Sequence, residues 1–204
     1  MRLGLFGGSF DPVHLGHLEL ARSCQRAAGL DEVWFLPAAT QPFKQRGPVA
    51  NDAERLAMLQ LAIAGEPTWR ICRAEIDRGG VSYTVDTLRT LHAAQPDAEW
   101  HFMMGADALH DFPSWREPEE ICRMATPLVV ARAGEPAPDF DALLSVCSPA
   151  RVKEIRRAQV TMREMPIASS AIRAMIAAGE DASELLPPPV WQYIESHALY
   201  TAAG

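Results

Sequence analysis

The chain contains few cysteines and no long apolar run. Its 204 residues include four cysteines, and no two of them are spaced as C-x-x-C. We therefore expect buried free thiols, and neither a disulfide framework nor a zinc site, at Cys24, Cys72, Cys122 and Cys147. No apolar stretch reaches the length of a membrane span, and the N-terminus enters an apolar run without the basic segment of a secretory signal. These absences predict a cytoplasmic protein with no membrane partner.

Clustered positive charge and two common phosphate-binding motifs are also missing. The formal net charge is -7, and no basic tract offsets it, so the chain as a whole would repel a nucleic-acid backbone. We expect no nucleic-acid partner and small substrates, met by positive charge placed locally. The glycines Gly4, Gly7 and Gly8 do not fit G-x-G-x-x-G, and G-x-x-x-x-G-K-[ST] does not occur. This argues against a dinucleotide-dependent dehydrogenase and against a P-loop ATPase.

What the chain does contain is a regular alternation of short apolar runs and helical patterns. This rhythm is typical of βαβ units with a parallel sheet covered on both faces. Because 48% of the residues are hydrophobic, we expect one α/β domain over residues 1–204, with a small helical part over 165–204. The predicted fold is a Rossmann-like, doubly wound parallel sheet. Strands are predicted at residues 2–6, 32–37, 69–76, 100–104, 127–131 and 160–164.

Helices are predicted between these strands from apolar periodicity and end signals. The first begins at Leu15 and stops at Gly29, and the second follows a capping box formed by Asn51 and Glu54. The others are centred on Val85 to Leu91, on 117–124, near Val152, on 170–178, and after Pro187. A Pro- and Ala-rich segment, 134–139, is the best candidate for a flexible loop.

The most informative segment follows the first predicted strand. Gly7-Gly8-Ser9-Phe10-Asp11-Pro12 predicts a glycine turn at which phosphate could approach the main chain. His14 and His17 come next, three residues apart at a helix start, so both imidazoles face one ligand beside the positive end of the helix dipole. Gly16 leaves the surface between them bare. A glycine turn or a histidine pair is common by itself, but the two together predict a phosphate site.

Loops after the later strands are further candidates, because ligands of open parallel sheets bind outside the carboxyl ends of strands. Lys44 is either a phosphate partner or part of a solvated surface pair. Ser82 or Thr84 could cap a helix, and Trp115 either stacks on a planar heterocycle or fills the core.

The segment from 167 to 173 repeats the logic of the first motif. Hydroxyls of Ser169 and Ser170 stand at a predicted helix start, and Arg173 lies one turn into that helix. Two helix N-termini could then hold one triphosphate. The competing interpretation is an ordinary serine cap beside an exposed arginine.

Several motifs together resemble the bacterial nicotinate-nucleotide adenylyltransferase family, a branch of the nucleotidyltransferase α/β-phosphodiesterase superfamily. The resemblance spans nearly the whole chain. It is carried by Gly-Gly-Ser-Phe-Asp-Pro at 7–12, His-x-Gly-His at 14–17, Ser-Tyr-Thr-x-Asp-Thr-Leu at 82–88, Gly-Ala-Asp at 105–107 with Trp115, Ile-x-Ser-Ser-x-Ile-Arg at 167–173, and the C-terminal Leu-Leu-Pro to Leu-Tyr segment ending at Tyr200.

The resemblance implies transfer of AMP from ATP to nicotinate mononucleotide, with Mg²⁺ bound through the ATP phosphates. Carried over by position, the catalytic residues would be His14, His17 and Arg173. The ATP-binding residues would be Gly7, Gly8, Ser9, Phe10, Gly105, Asp107, Ser169 and Ser170. The substrate-binding residues would be Lys44 on a phosphate, Tyr83 and Thr84 on the nicotinate carboxylate through their main chain, and Trp115 on the pyridine ring.

Two other functions stay open at this point. Another adenylyltransferase of the superfamily, using nicotinamide mononucleotide or phosphopantetheine, would share the phosphate chemistry and differ in the acceptor pocket. A non-catalytic nucleotide-binding module would bind ATP without releasing pyrophosphate. The sequence also leaves open whether the protein forms a homo-oligomer.

Overall fold

The computed structural model describes residues 1–40, 47–132 and 137–202. Six parallel strands form one sheet in the order β3-β2-β1-β4-β5-β6. The strands are β1 (Arg2–Gly8), β2 (Glu32–Pro37), β3 (Trp69–Ile71), β4 (Glu99–Gly105), β5 (Ala125–Arg132) and β6 (Val160–Met162). The order reverses between β1 and β4, and in open α/β sheets this reversal marks the crevice where ligands bind. The predicted doubly wound fold is confirmed.

Helices cover both faces of the sheet and bury two separate apolar clusters. One cluster packs beneath α1 (Leu15–Ala28), α2 (Asp52–Ile63), α8 (Ser169–Ala177) and α9 (Pro188–Ser196). The other packs beneath α3 (Ala74–Arg78), α4 (Thr84–Ala94), α5 (Ala106–Asp111), α6 (Pro118–Met124) and α7 (Pro149–Arg157). The four central strands, β2, β1, β4 and β5, are largely buried on both faces, which is why they appear in the sequence as nearly continuous apolar runs, whereas the edge strands β3 and β6 each expose their middle residue.

Most predicted helix boundaries agree with the structure. Helix α1 begins at Leu15 and ends at Ala28, and the predicted stop, Gly29, follows it with a φ of 57°, the left-handed C-cap that glycine favours. The capping box of α2 is present in both directions: Asn51 Oδ1 accepts from the Glu54 amide at 3.0 Å, and Glu54 Oε2 accepts from the Asn51 amide at 2.8 Å. Helix α8 begins at Ser169, one residue before the predicted start.

Two predictions about the strands were wrong in detail. Strand β3 ends at Ile71, and the second half of the predicted strand forms α3, on which Glu75 is buried. Strand β1 continues through Gly7 and Gly8, so the turn falls at Asp11-Pro12 and not at the glycines. A Cβ on Gly8 would lie 3.0 to 3.2 Å from atoms of the Phe10 ring, so the close approach of this ring explains the glycine.

The cysteines agree with the prediction of free thiols. All four are unpaired; three are buried and Cys147 is half-buried. Burial raises the pKa of Cys24 to about 12, which leaves this thiol unreactive at neutral pH. Among the described residues, no helix has the length and apolar character needed to cross a membrane. Of the predicted loop at 134–139, residues 134–136 lie outside the described residues, and residues 137–139 have no regular secondary structure.

Candidate active site

A cavity of about 750 Å³ opens at the carboxyl end of β1, between the N-termini of α1 and α8. Its walls include eight of the residues proposed from the sequence to act on ATP. These are Gly8, Ser9, His14, His17, Asp107, Ser169, Ser170 and Arg173. The fold therefore brings the N-terminal motif and the segment at 167–173 to one cavity, although, for example, 157 positions separate Ser169 from Pro12 in sequence.

The two histidines form a capping box at the start of α1. His14 is the N-cap, and its Nδ1 accepts from the His17 amide at 3.3 Å. His17 Nδ1 accepts in turn from the His14 amide at 3.2 Å. The two rings stack with centroids 3.7 Å apart. The pair thus stabilises the helix start in the way that Ser and Glu do in the usual capping box.

This arrangement decides which ring nitrogen of each imidazole carries the proton. A nitrogen that accepts a hydrogen bond from a backbone amide cannot carry a hydrogen itself, so the neutral tautomer of both rings has its proton on Nε2. The capping bonds therefore leave each histidine with an N–H donor at Nε2. Such donors suit phosphate oxygens, which only accept hydrogen bonds.

The surroundings of the two rings fix their positions. His14 is 5% exposed, and a Cβ on Gly16 would come within 3.1 Å of its Nδ1, so the glycine allows the ring to lie against the helix. The Phe10 ring contacts His17 edge-on, with centroids 5.1 Å apart, and is fully buried. Because its side chain lies in the core, the contact predicted between Phe10 and the nucleotide would have to come from its main chain.

The start of α8 is tied directly to the turn before α1. Ser169 Oγ donates to the Pro12 carbonyl at 3.0 Å, and Arg173 Nη1 donates to the Asp11 carbonyl at 2.6 Å. Ala168 is the N-cap and makes no side-chain capping bond, so Ser169 does not act as the ordinary serine cap considered above. The start of α8, through Ser169 and Ser170, and the half-buried Arg173 line the same cavity as the two histidines.

Sequence reasoning treated Asp11 only as a turn signal, but the structure places it at the centre of this junction. Its carboxylate is 3% exposed and accepts from the amides of Val49 at 2.7 Å and Ala50 at 3.1 Å. It also accepts from the Tyr200 hydroxyl at 2.7 Å and lies 3.7 Å from the Arg173 guanidinium. The only signal that the sequence offered for this role of Asp11 was its position between the aromatic Phe10 and Pro12.

A buried arginine on α2 was also missed. Arg55 is fully buried, and its Nη1 donates to the Ser9 carbonyl at 2.7 Å while Nη2 donates to Asp52. This contact holds the chain between β1 and α1. Arg55 precedes the buried Met58 and Leu59 by three and four residues, so it lies on the same face of α2 as these apolar residues. A charged residue on the apolar face of a predicted helix was the sequence signal that could have identified Arg55 as a buried arginine.

The residues predicted for the pyridine nucleotide lie elsewhere. Of the described ones, Tyr83, Thr84 and Trp115, none is in the walls of the cavity. Trp115 is half-buried and packs edge-on against Phe102, with ring centroids 5.8 Å apart. The Arg116 guanidinium lies 4.8 Å from the centre of the Tyr83 ring, and its Nη1 donates to Asp86 at 3.3 Å. Arg116 therefore joins the loop carrying Trp115 to the start of α4.

A buried carboxylate supports the start of α4. Thr87 Oγ donates to Glu75 Oε1 at 2.8 Å, and Ser82 makes a second hydrogen bond to Glu75. Burial raises the pKa of the Glu75 carboxyl, although the bonds from Thr87 and Ser82 and the charge of Arg78 oppose the rise. Ser82 Oγ also accepts from the Ala39 amide at 3.2 Å. Ser82 thus links the loop after β2 to α4 and does not cap the helix, whose N-cap is Tyr83.

Two remaining predictions concern Lys44 and the metal. Lys44 lies outside the described residues. Within the described part of the chain, no group of three or more His, Cys, Asp or Glu side chains is arranged to hold a metal ion.

Gly105 is the N-cap of α5, which places Asp107 in the first turn of that helix and at the cavity wall.

Comparison with known proteins agrees with this geometry. The cytidylyltransferase-like family model matches residues 5–175. The chain is 39% identical to a probable nicotinate-nucleotide adenylyltransferase of Rhodopirellula baltica, over 97% of this chain and 92% of that protein. It is 40% identical to a protein of the same name from Salinibacter ruber, over 98% of each, and 41% identical to one from Thermomicrobium roseum, over 98% of this chain and 91% of that protein.

A solved structure shares the fold. The Plasmodium falciparum nicotinic acid mononucleotide adenylyltransferase complexed with NaAD superposes with a TM-score of 0.73, at 20% identity over 98% of this chain and 97% of that chain. At this level of identity the likeness concerns the fold alone. The extent of the family match and the identity to full-length relatives establish the family. The chain belongs to the cytidylyltransferase-like family and, within it, to the nicotinate-nucleotide adenylyltransferases.

Proposed function

We propose that the protein transfers AMP from ATP to nicotinate mononucleotide, giving deamido-NAD and pyrophosphate. The observation that carries this proposal is the convergence of His14, His17, Ser169 and Arg173 on one cavity between two helix N-termini. The names of the relatives, at about 40% identity over nearly the full chain, support the pyridine nucleotide as the second substrate.

The reaction needs positioning and positive charge more than it needs a base. The nucleophile is a phosphate monoester whose second pKa is about 6, so it is already largely ionised at neutral pH. The barrier lies in bringing two anions together and in stabilising charge on the α-phosphate and on the leaving pyrophosphate. Donors fixed before the reaction stabilise that charge without further reorganisation.

The residues of the cavity suit these requirements. The Nε2–H groups of His14 and His17 would donate to phosphate oxygens from one side. Arg173 and the first amides of α8 would donate from the other side. Because Nδ1 of each histidine is held by a backbone amide, the rings act as oriented hydrogen-bond donors, and neither needs to move a proton.

The donor set fits an Mg²⁺ that keeps its phosphate and water ligands. Mg²⁺ in nucleotide sites commonly takes one or two carboxylates at most, and the cavity walls include Asp11 and Asp107. Asp11 is already engaged by two amides, Tyr200 and Arg173, which leaves Asp107 as the residue we assign to the ion. When bound through the ATP phosphates, Mg²⁺ would neutralise charge on the leaving pyrophosphate.

We assign the pyridine nucleotide to the neighbouring region of Tyr83, Thr84 and Trp115. Trp115 packs against Phe102 and Phe112 and is only half-buried, so we assign the exposed part of its ring to stacking on the heterocycle. The amides at the start of α4 would bind the nicotinate carboxylate. Lys44 would contact a phosphate from the loop after β2.

Pyrophosphate release tests the proposal. The purified chain is given ATP and Mg²⁺ with nicotinate mononucleotide, nicotinamide mononucleotide or phosphopantetheine, and with no acceptor. We expect the highest kcat/KM with nicotinate mononucleotide and no release without an acceptor. Faster release with another acceptor would assign a sister activity, and ATP binding without release from any acceptor would indicate a non-catalytic module.

A further inference from the structure

The C-terminal Tyr200 reaches into the junction beneath the ATP cavity. Its ring is buried, and its hydroxyl donates to Asp11 Oδ1 at 2.7 Å across 189 residues of sequence. Burial raises the pKa of the phenol far above its usual value, and the Asp11 carboxylate raises it further. The hydroxyl therefore stays protonated and acts as a donor to Asp11.

The Asp11 carboxylate also contacts two parts of the cavity wall. Its Oδ2 accepts from the Val49 amide at 2.7 Å and lies 3.7 Å from Arg173 Nη1, while Oδ1 also accepts from the Ala50 amide. Val49 and Arg173 both line the cavity. The carboxylate therefore joins the phenol to the loop on one side of the cavity and to the guanidinium on the other.

Strained backbone is concentrated on both sides of this hydrogen bond. Four non-glycine residues in the described part of the chain have positive φ, and two of them belong to this contact: Tyr200 itself at 64°, and Phe10, next to Asp11, at 48°. A third, Ala198 at 48°, closes the end of α9, where the Leu199 amide donates to the Ile194 carbonyl. Side-chain-bearing residues adopt this conformation at a cost, which the surrounding contacts must offset. Strain of this kind clusters at functional sites, because the fold must hold particular groups in place there.

We propose that Tyr200 is a positioning residue for ATP: its hydroxyl holds the Asp11 carboxylate, and through it Arg173 and the loop at 47–50, in the geometry that receives the triphosphate. The inference rests on the proposed function only in taking ATP as the ligand of the cavity. It does not depend on which acceptor the enzyme uses.

The first test is the affinity for ATP, measured by calorimetry without an acceptor. Tyr200→Phe removes the hydroxyl and keeps the ring, and we expect ATP to bind about tenfold more weakly, as for the loss of a hydrogen bond to a charged group. Tyr193→Phe is the matched control, because Tyr193 belongs to the same C-terminal segment and its ring stacks on His197. We expect no change in that variant.

A double-mutant cycle separates positioning from simple stabilisation of the fold. If Tyr200 acts through Arg173, Tyr200→Phe should weaken ATP binding much less in an Arg173→Ala background than in the wild type. Fully additive losses would overturn the proposal. So would a lower melting temperature of Tyr200→Phe with an unchanged affinity for ATP.

Hydrogen exchange in the wild type provides an independent check if Tyr200→Phe does not fold. On addition of ATP, the Val49 and Ala50 amides and residues 198–202 should gain protection together. Protection of α8 without any change at 198–202 would overturn the proposal. A wild-type protein that binds no ATP would instead contradict the proposed function itself.

Discussion

The two regions assigned to the two substrates are built in different ways. The ATP side (His14, His17, Ser169 and Arg173, joined through Asp11) is a cavity of polar groups held by hydrogen bonds between distant parts of the chain. The pyridine side (Tyr83, Thr84 and Trp115) consists of half-buried aromatic residues and a helix start that lie over the second apolar cluster. The ATP side is organised by charge, whereas the pyridine side is organised by packing.

This difference matches what each substrate demands. A triphosphate must be neutralised in a fixed geometry while charge shifts along it, so errors of position are costly in rate. A pyridine ring needs a flat apolar surface and a few directed donors, so changes there should affect binding more than turnover. We therefore expect substitutions on the ATP side to lower kcat and those on the pyridine side to raise one KM.

The largest effect is expected for His17→Ala. Loss of the Nε2–H donor should lower kcat by ~10²-fold or more, as for removal of a comparable donor to a transition state. Steady-state pyrophosphate release with ATP and nicotinate mononucleotide measures it. His197→Ala, at an exposed histidine outside the cavity, should leave turnover unchanged.

A companion variant separates catalysis from helix capping. In His17→Asn, the side-chain oxygen can accept from the His14 amide as Nδ1 does, but the amide NH2 of the shorter side chain does not reach the position of Nε2–H. The melting temperature should recover relative to His17→Ala while kcat stays low. Wild-type turnover in either variant would contradict the role assigned to His17.

On the pyridine side, Trp115→Ala should raise the KM for nicotinate mononucleotide by roughly tenfold, the value of a lost aromatic stack. The KM for ATP should change much less. Trp191, on α9, is also half-buried, so Trp191→Ala provides the control for lost apolar area. Equal changes in both KM values would count against the stacking assignment.

A smaller effect is expected from Thr87→Val, which removes the hydroxyl that donates to the buried Glu75. The start of α4 would lose one of its supports, so the KM for nicotinate mononucleotide should rise by about threefold, and stability should fall by about 1–3 kcal/mol. Thr90→Val on the exposed face of α4 is the matched control. An unchanged KM with lower stability would make Glu75 purely structural.

The smallest expected effect concerns His101 and the pH dependence of stability, and it should change the KM of neither substrate. Burial lowers the pKa of His101 below 6.5, with Glu99 opposing the shift and Arg2 and Arg151 adding to it. The unfolded chain thus takes up a proton at a higher pH than the folded chain, so stability should decline as pH falls below about 6.5. Denaturant unfolding at pH 7.5 and 5.5 should show a smaller decline in His101→Gln. Identical declines in the wild type and in His101→Gln would contradict the assignment of this pH dependence to His101.

The sequence predicted the sheet and most helices, and it named residues that the structure gathers at one cavity, because strand runs, caps and the His-x-Gly-His spacing are local patterns. It did not predict the contacts that join these residues. Asp11 to Tyr200 and Arg55 to Ser9 connect segments whose proximity depends on the complete fold. The extended β3 prediction failed for a related reason: Glu75 and Ile76 fit a strand pattern locally, but tertiary hydrogen bonds to Thr87 and Ser82 hold this segment as a helix.

The central claim is that one triphosphate lies between the start of α1 and the start of α8. Calorimetric affinities for ATP and AMP, measured on the wild type and on Arg173→Ala without an acceptor, test it most directly. We predict that the wild type binds ATP at least about tenfold more tightly than AMP, and that Arg173→Ala removes most of this preference. Equal affinities for ATP and AMP in the wild type, or an unchanged preference in the variant, would contradict the account.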